Sequence, residues 1–175
     1  MATSSDSKRW IMREVKKIPY GHPKRTPGKF MRKVFNTILS RWAYSCSSNS
    51  LRIWLHRMRG CHIGKGVYIG RYCFLDNMYP EYIYIYDGAS VNAESMLLTH
   101  FNPFPTYQKV FAAEVRPVVI DENAIVAVRC TIMPGVRVGK FAVISAGMTV
   151  EKSVDDYMMC TVKQEMKQIS IKALI

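Results

Sequence analysis

At 175 residues with 49% apolar side chains, the chain is sized for one domain with its own core and is too apolar for a disordered polymer. Its net charge of +12 lies wholly in the first third: residues 1–60 hold 14 Lys/Arg against Asp6 and Glu14, while residues 61–175 hold 11 against 11. That confinement, with no zinc knuckle or interleaved Tyr/Arg groove, argues against nucleic acid. Five cysteines without paired spacing, no apolar leader run and no stretch of roughly 18 apolar residues predict a reducing, cytoplasmic setting without a spanning segment.

Residues 1–29 are polar and interrupted by Pro19, Pro23 and Pro27, which predicts irregular chain. From there the pattern changes. Phe30, Met31, Val34, Phe35, Ile38, Leu39 and Trp42 recur at helical spacing while Lys29, Arg32, Lys33 and Arg41 take other faces, so an amphipathic helix is expected. A second helix is predicted from a Ser50 cap to a Gly60 stop, with Leu51, Trp54, Leu55 and Met58 on one side and Arg52, Arg57 and Arg59 elsewhere. Such helices either cover a neighbouring core or rest on an anionic membrane or polysaccharide, and both possibilities stand. The charge boundary separates this arm, residues 1–60, from the remainder, neutral in sum, which divides into a body, 61–160, and a C-terminal tail, 161–175.

The body is a repeat. Ile63, Ile69 and Leu75 stand six apart; Ile85, Val91 and Leu97 restore that spacing after a four-residue slip; Ile120, Val126, Ile132, Val138, Ile144 and Val150 restore it after a long interruption. Four positions further on stand mostly small or medium side chains, among them Cys73, Ala89, Ser95, Ala124, Cys130 and Ala142, and Gly64, Gly70 and Gly139 follow an aliphatic directly. Neither a helix nor a meander of longer strands has a period of six, whereas short strands joined by tight corners do. Three such sides make an all-β solenoid, a triangular prism of about 18 residues per coil with the aliphatics inside and coils roughly 4.8 Å apart. The basic helices are placed to cover one open end and residues 164–175 the other. Tyr82, Tyr84 and Tyr86 alternate with Ile83 and Ile85 as the two faces of one strand would.

The segments Ile63-Gly64-Lys65-Gly66-Val67, Ile120-Asp121-Glu122-Asn123-Ala124-Ile125-Val126-Ala127, Met133-Pro134-Gly135-Val136-Arg137-Val138-Gly139 and Ser145-Ala146-Gly147-Met148-Thr149-Val150 resemble the hexapeptide-repeat acyltransferases. The resemblance covers about residues 51–160 and is greatest to the maltose, galactoside and serine acetyltransferase group. It implies a left-handed parallel β-helix with N-terminal α-helices, a homotrimer with sites between neighbours, and acetyl-CoA as acyl donor.

His100 closes the second block in Leu97-Leu98-Thr99-His100, just before a segment with Pro103, Pro105 and Pro117 that suspends the repeat: Leu97 to Ile120 is 23 residues (120 − 97) rather than six. A loop of that length in a compact repeat is more often functional than idle. An alcohol attacks a thioester only if its proton leaves as the bond forms, and imidazole is suited to that near neutral pH, so His100 is the candidate general base. His22, His56 and His62 lack such a setting and are expected to serve packing or the surface.

Asp76 and Asn77 precede the insertion Tyr79-Pro80-Glu81, where the resemblance puts an acidic residue facing the acceptor; Asp76 would orient the acceptor hydroxyl or the histidine, with a plain turn as the alternative. Glu94 is a second candidate partner for His100. By the resemblance, backbone at Ala127, Val128 and Ala146 lines the CoA groove, Val128 standing where a serine is common. Lys140, Lys152 and Lys163 are candidate contacts for the CoA phosphates. The usual Gly-Asn-Pro-Ala turn is replaced by Cys160-Thr161-Val162-Lys163-Gln164-Glu165. No metal site is expected, and P-loop, dinucleotide and Gly-x-Ser-x-Gly patterns are missing. The expected activity is acetyl-CoA-dependent O-acetylation of a sugar hydroxyl in polysaccharide synthesis, with N-acetylation of an amino sugar as a near variant. The alternative is a non-catalytic trimeric scaffold that binds membrane or anionic polymer.

Overall fold

The computed structural model describes residues 16–17, 27–107, 110 and 113–161. The expectations for residues 1–15, 18–26 and 162–175, Lys163 among them, lie outside the described residues.

Two helices precede the repeat. Helix α1 spans Pro27–Ser45 and α2 Asn49–Met58. Proline suits a first helical turn, where its missing N–H has no intrahelical acceptor, so α1 begins inside the stretch expected to be irregular. A further departure from irregular chain is β1, Lys16–Lys17, which pairs with the body. The cap of α2 is Ser48, whose side chain accepts from the Leu51 N–H at 3.4 Å, two residues ahead of the expected Ser50. Gly60 follows the end of α2 at φ 103°, a left-handed stop that glycine adopts without strain.

From residue 62 the chain visits three parallel sheets in strict rotation. Strands β2 (His62–Ile63), β5 (Ile83–Ile85), β10 (Val118–Ile120) and β13 (Arg137–Val138) form the first sheet. The second holds β3 (Tyr68–Ile69), β6 (Ser90–Val91), β11 (Ile125–Val126), β14 (Val143–Ile144) and β16 (Met159–Cys160). The third holds β4 (Phe74–Leu75), β7 (Met96–Leu97), β12 (Thr131–Ile132) and β15 (Thr149–Val150). Register follows the six-residue spacing: Ile120 sits opposite Val138, Val126 opposite Ile144 and Ile132 opposite Val150, each 18 residues apart (138 − 120). After Val150 the period shortens, since Val138 bridges Val154 and Ile144 meets Cys160, 16 residues on (160 − 144).

The repeated aliphatics meet in one core: Ile69, Leu75, Val91, Leu97, Ile120, Val126, Ile132, Val138 and Ile144 are fully buried, together with the corner side chains Ala89, Ala124, Cys130 and Ala142. Gly70 is needed for space, since a Cβ there would lie 2.4 Å from the Ala93 nitrogen. The left-handed residues stand two places later at the corners, where Tyr72, Glu94, Arg129 and Gly147 all have φ between 58° and 74°.

Each coil donates its backbone N–H groups to carbonyls of the next: Gly64 to Ile85, Gly70 to Val91 and Asp76 to Leu97. The first coil's own carbonyls therefore lack a preceding coil, and α2 supplies the donors. Arg57 donates to Ile63 O at 2.8 Å, Arg52 to Ile69 O, Arg59 to Leu75 O at 3.0 Å and the Asn49 amide to Val67 O at 3.1 Å. The helix pair thus covers one end of the stack, as expected, with a side chain on each sheet edge. Two consequences depart from the sequence expectation. Arg52 and Arg59 are buried, so they are no part of a solvated basic face. Because α2 turns its polar side inward, the apolar rows lie mostly outside: Leu39, Ala43 and Leu55 are buried, whereas Met31, Val34, Phe35, Ile38, Trp42, Leu51, Trp54 and Met58 are exposed.

Candidate active site

The repeat is lengthened twice, both times at the edge between the third and first sheets. The four-residue insertion after β4 holds the short helical turn Pro80–Tyr82. The interruption after β7 is a hairpin of β8 (His100–Phe101) and β9 (Glu114–Val115), antiparallel with His100 opposite Val115, and β1 adds on the far side of β9. Consecutive coils stack, so these breaks bring Asp76 of the first coil beneath His100 of the second.

The His100 Nδ1–H donates to Asp76 Oδ2 at 2.6 Å. Asp76 is 1% exposed, and its remaining lone pairs accept from the backbone N–H groups of Thr99 at 3.0 Å and Met78 at 2.7 Å. Burial disfavours its charge, but the hydrogen bonds from His100, Thr99 and Met78 outweigh that and bring its pKa down to about 2. An ionised carboxylate only accepts, so the proton of a neutral His100 sits on Nδ1 and the Nε2 lone pair is free to take another. The imidazole keeps 30% of its surface exposed and packs edge-on to Tyr79, with ring centres 5.6 Å apart. The pair therefore holds a neutral ring in one tautomer, with part of the ring open to solvent.

Beneath Asp76 lies a second layer. The Arg59 Nη2 donates to Asp76 O at 2.7 Å and to Asn77 Oδ1 at 2.7 Å, and its Nη1 donates to His56 Nδ1 at 2.8 Å. Burial, then the charges of Arg59 and Arg52, lower the pKa of His56 to about 3, so it is a neutral packing residue, as expected. Helix α2 thereby braces the backbone of the Asp-Asn pair. Nothing in the spacing of Arg59 sets it apart from the other arginines of the arm, so the sequence carried no signal for this contact.

Of the two roles open to Asp76, the geometry brings it to the histidine; its burial leaves no surface for an acceptor. Asn77 is half-buried at the same edge, tied to Arg59 through its oxygen. Glu94 does not reach His100: it lies at a different corner and pairs with Arg129 at 2.7 Å. The residues expected along a CoA groove are dispersed. Val128 and Ala146, exposed and one coil apart, share the edge between the second and third sheets, with Ala127 just before them. Gly147 N–H donates to Val128 O at 2.9 Å, and a side chain added at Gly147 would meet nothing within 4 Å. Lys140 sits at the edge between the first and second sheets and pairs with Glu122 at 2.8 Å. Lys152 follows β15 on the His100 edge and is exposed. The reason is the pitch itself: 140, 146 and 152 are six apart, so they fall on three successive edges. Among the described residues, no group of three or more His, Cys, Asp or Glu could hold a metal ion.

Comparison with known proteins bears on what this edge is. No protein-family model matches the chain. It is 27% identical over 128 residues to YvoF of Bacillus subtilis, a protein named as a candidate acetyltransferase, covering 73% of this chain and 71% of that one. The structure superposes on the hexapeptide-repeat-containing acetyltransferase VCA0836 of Vibrio cholerae with a TM-score of 0.64 and 13% identity, over 86% of this chain and 92% of that one. The fold is that of the hexapeptide-repeat acetyltransferases. A maltose O-acetyltransferase of Clostridium difficile shares it at TM-score 0.59 and 17% identity, over 77% of this chain and 83% of the other. So does a galactoside acetyltransferase bound to coenzyme A, at 0.61 and 15% over 99% and 94%. VCA0836 has also been solved with acetyl-CoA, so hexapeptide-repeat acetyltransferases of this fold bind the donor expected from the sequence.

Proposed function

We propose that the protein is an acetyl-CoA-dependent O-acetyltransferase acting on a saccharide hydroxyl, with His100 as the general base. The observation that carries this is the His100–Asp76 pair, which leaves Nε2 basic and reachable at the one edge where the repeat is interrupted. Nε2 takes the proton of an acceptor hydroxyl as that oxygen becomes a nucleophile, while Asp76 stabilises the imidazolium that forms. Acetyl-CoA, when bound, would supply the acyl group as a thioester, and the proton held on His100 Nε2 would pass to the departing CoA sulfur, which leaves as the thiol and restores the neutral ring. Asn77, half-buried beside the pair with its oxygen tied to Arg59, is the residue we assign to orient the acceptor through its amide NH₂. The maltose and galactoside acetyltransferases of the same fold support a sugar as acceptor, and polysaccharide synthesis is the setting we infer.

Val128 and Ala146 fit a pantetheine groove in one respect: their edge is open at Gly147, and their own backbone N–H groups have no acceptor among the hydrogen bonds of the coil ladder. They stand one edge away from His100, so a single chain does not unite base and groove. We infer that the β-helix is left-handed and forms a homotrimer in which the groove edge of one copy meets the histidine edge of the next, with Lys152, exposed on the histidine edge, as the lysine proposed to meet the ligand. Light scattering should then give about 60 kDa, three times 20.1 kDa.

The test is release of free CoA thiol from acetyl-CoA by the full chain in the presence of maltose, galactosides and other sugars. Turnover should require a sugar and fall roughly 10² to 10⁴ fold in His100→Ala with the fold unchanged. Parental turnover in that variant would remove the base assignment. No turnover with any sugar, joined to binding of an anionic polymer, would favour the scaffold reading instead.

A further inference from the structure

We propose that the outer side of the α1–α2 pair docks on an anionic lipid bilayer. On α1, Met31, Val34, Phe35, Ile38 and Trp42 stand at i, i+3, i+4, i+7 and i+11, one face of a helix, and are 37% to 64% exposed. On α2, Leu51, Trp54 and Met58 repeat the arrangement at i, i+3 and i+7 and are 47% to 54% exposed. The opposite side of α2 is used up in covering the first coil through Arg52, His56 and Arg59, so the apolar side points away from the stack. Eight large apolar residues on one helix pair, two of them tryptophans, form a surface that water disfavours and a headgroup layer accepts.

Charge selects the occupant. Residues 27–60 hold seven Lys/Arg and no Asp or Glu. Arg52 and Arg59 are buried and Arg57 is bound to Ile63 and Gly64 carbonyls, which leaves Lys33 and Arg41 exposed on α1 beside Arg32, the last facing Glu81 at 3.5 Å. The sequence leading into α1 adds to that balance, with seven Lys/Arg against Asp6 and Glu14 in residues 1–26. A second copy docking through this surface would set like charges against each other, whereas anionic lipid neutralises them. Residues 61–175 carry no net charge in sum, 11 Lys/Arg against 11 Asp/Glu, so the positive excess that draws an anionic surface lies at the helical end. No helix among the described residues is long and apolar enough to cross a membrane, so the pair lies on the surface.

The experiment is co-sedimentation of the full chain with vesicles of phosphatidylcholine containing about 30% phosphatidylglycerol, and with pure phosphatidylcholine, at low and high salt. Binding should be at least tenfold stronger to the anionic vesicles, weaken with salt and shift tryptophan emission to the blue, by rough analogy with amphipathic surface helices. The variant Phe35→Ser with Ile38→Ser and Trp42→Ser should lose about tenfold or more in partitioning at unchanged circular dichroism. Because that variant removes much apolar surface, Lys33→Glu with Arg41→Glu is the second arm. Both positions are exposed, and this variant should lose anionic binding alone. Equal binding to the two vesicle types, or anionic binding that survives both variants, overturns the proposal. So does a triple variant of smaller mass by light scattering with vesicle binding intact, which would assign the surface to a second copy.

Discussion

The strands of residues 118–150 and those of residues 62–97 obey one rule, yet only the latter are followed by the insertions at which Asp76 and His100 meet. In residues 118–150 every strand follows the last by six, and their outward positions are ordinary corners. In residues 62–97 the same inward aliphatics are kept, but four residues are inserted after β4 and 17 extra residues follow β7, since Leu97 to Ile120 is 23 rather than six. Both interruptions fall on one edge, and they bring Asp76, Asn77, Tyr79 and His100 together. The repeat builds the buried core, and the His100–Asp76 pair lies where the repeat is suspended.

Breaking the pair should have the largest effect. Asp76→Asn presents an amide that can donate to Nδ1, moving the histidine proton to Nε2 and abolishing the base; turnover should fall on the order of 10² to 10⁴, with the oligomer intact. Steady-state kinetics with a unit-stoichiometry CoA readout decides it, and an active variant would mean that the tautomer is fixed by something else. In the regular coils the converse holds. Ile144→Ala should cost about 2–5 kcal/mol in a denaturant melt, as buried Ile truncations do, while leaving turnover of the folded fraction near parental.

The cap on the first coil can be probed by acid. His56 is held neutral, with its pKa near 3 when folded against 6.5 when free, so the unfolded chain binds the extra proton. Its contribution is complete above about pH 6.5 and is lost as pH falls toward 3; at pH 5 the loss is about 2 kcal/mol, 1.5 pH units at 1.36 kcal/mol each. Melts at pH 7 and 5 should differ by that amount, and His56→Gln should flatten the difference. Asp76 adds a separate loss only at lower pH, as it is protonated through about 2. The smallest effect is expected at Val128→Ser: the side chain is exposed and the contact proposed for it is through its backbone N–H, so stability should move by no more than about 0.5 kcal/mol and turnover hardly at all.

Much of this was legible beforehand because a period of six constrains the chain strongly. The inward aliphatics, the small corner residues, the alternating tyrosines and the edge position of His100 all follow from spacing alone. What escaped is of another kind. The arginines of α2 look like surface charge in the sequence, yet they act on carbonyls that exist only once the first coil forms. That use turns α2 over and leaves outside the apolar rows that periodicity alone would bury. Asp76 was legible as a candidate but not as a buried one, since its depth depends on the hairpin folding over it. Val128 and Ala146 share one edge, as the resemblance implies, while the hexad count puts Lys140 and Lys152 on the two other edges.

A crystal structure of the assembled protein with coenzyme A tests the central claim most directly. The account predicts the thiol at the interrupted edge, within hydrogen-bond reach of His100 Nε2 directly or through one water, with the pantetheine arm along Val128 and Ala146 of a second copy. Coenzyme A seated along an uninterrupted edge, with His100 facing open solvent, would contradict it.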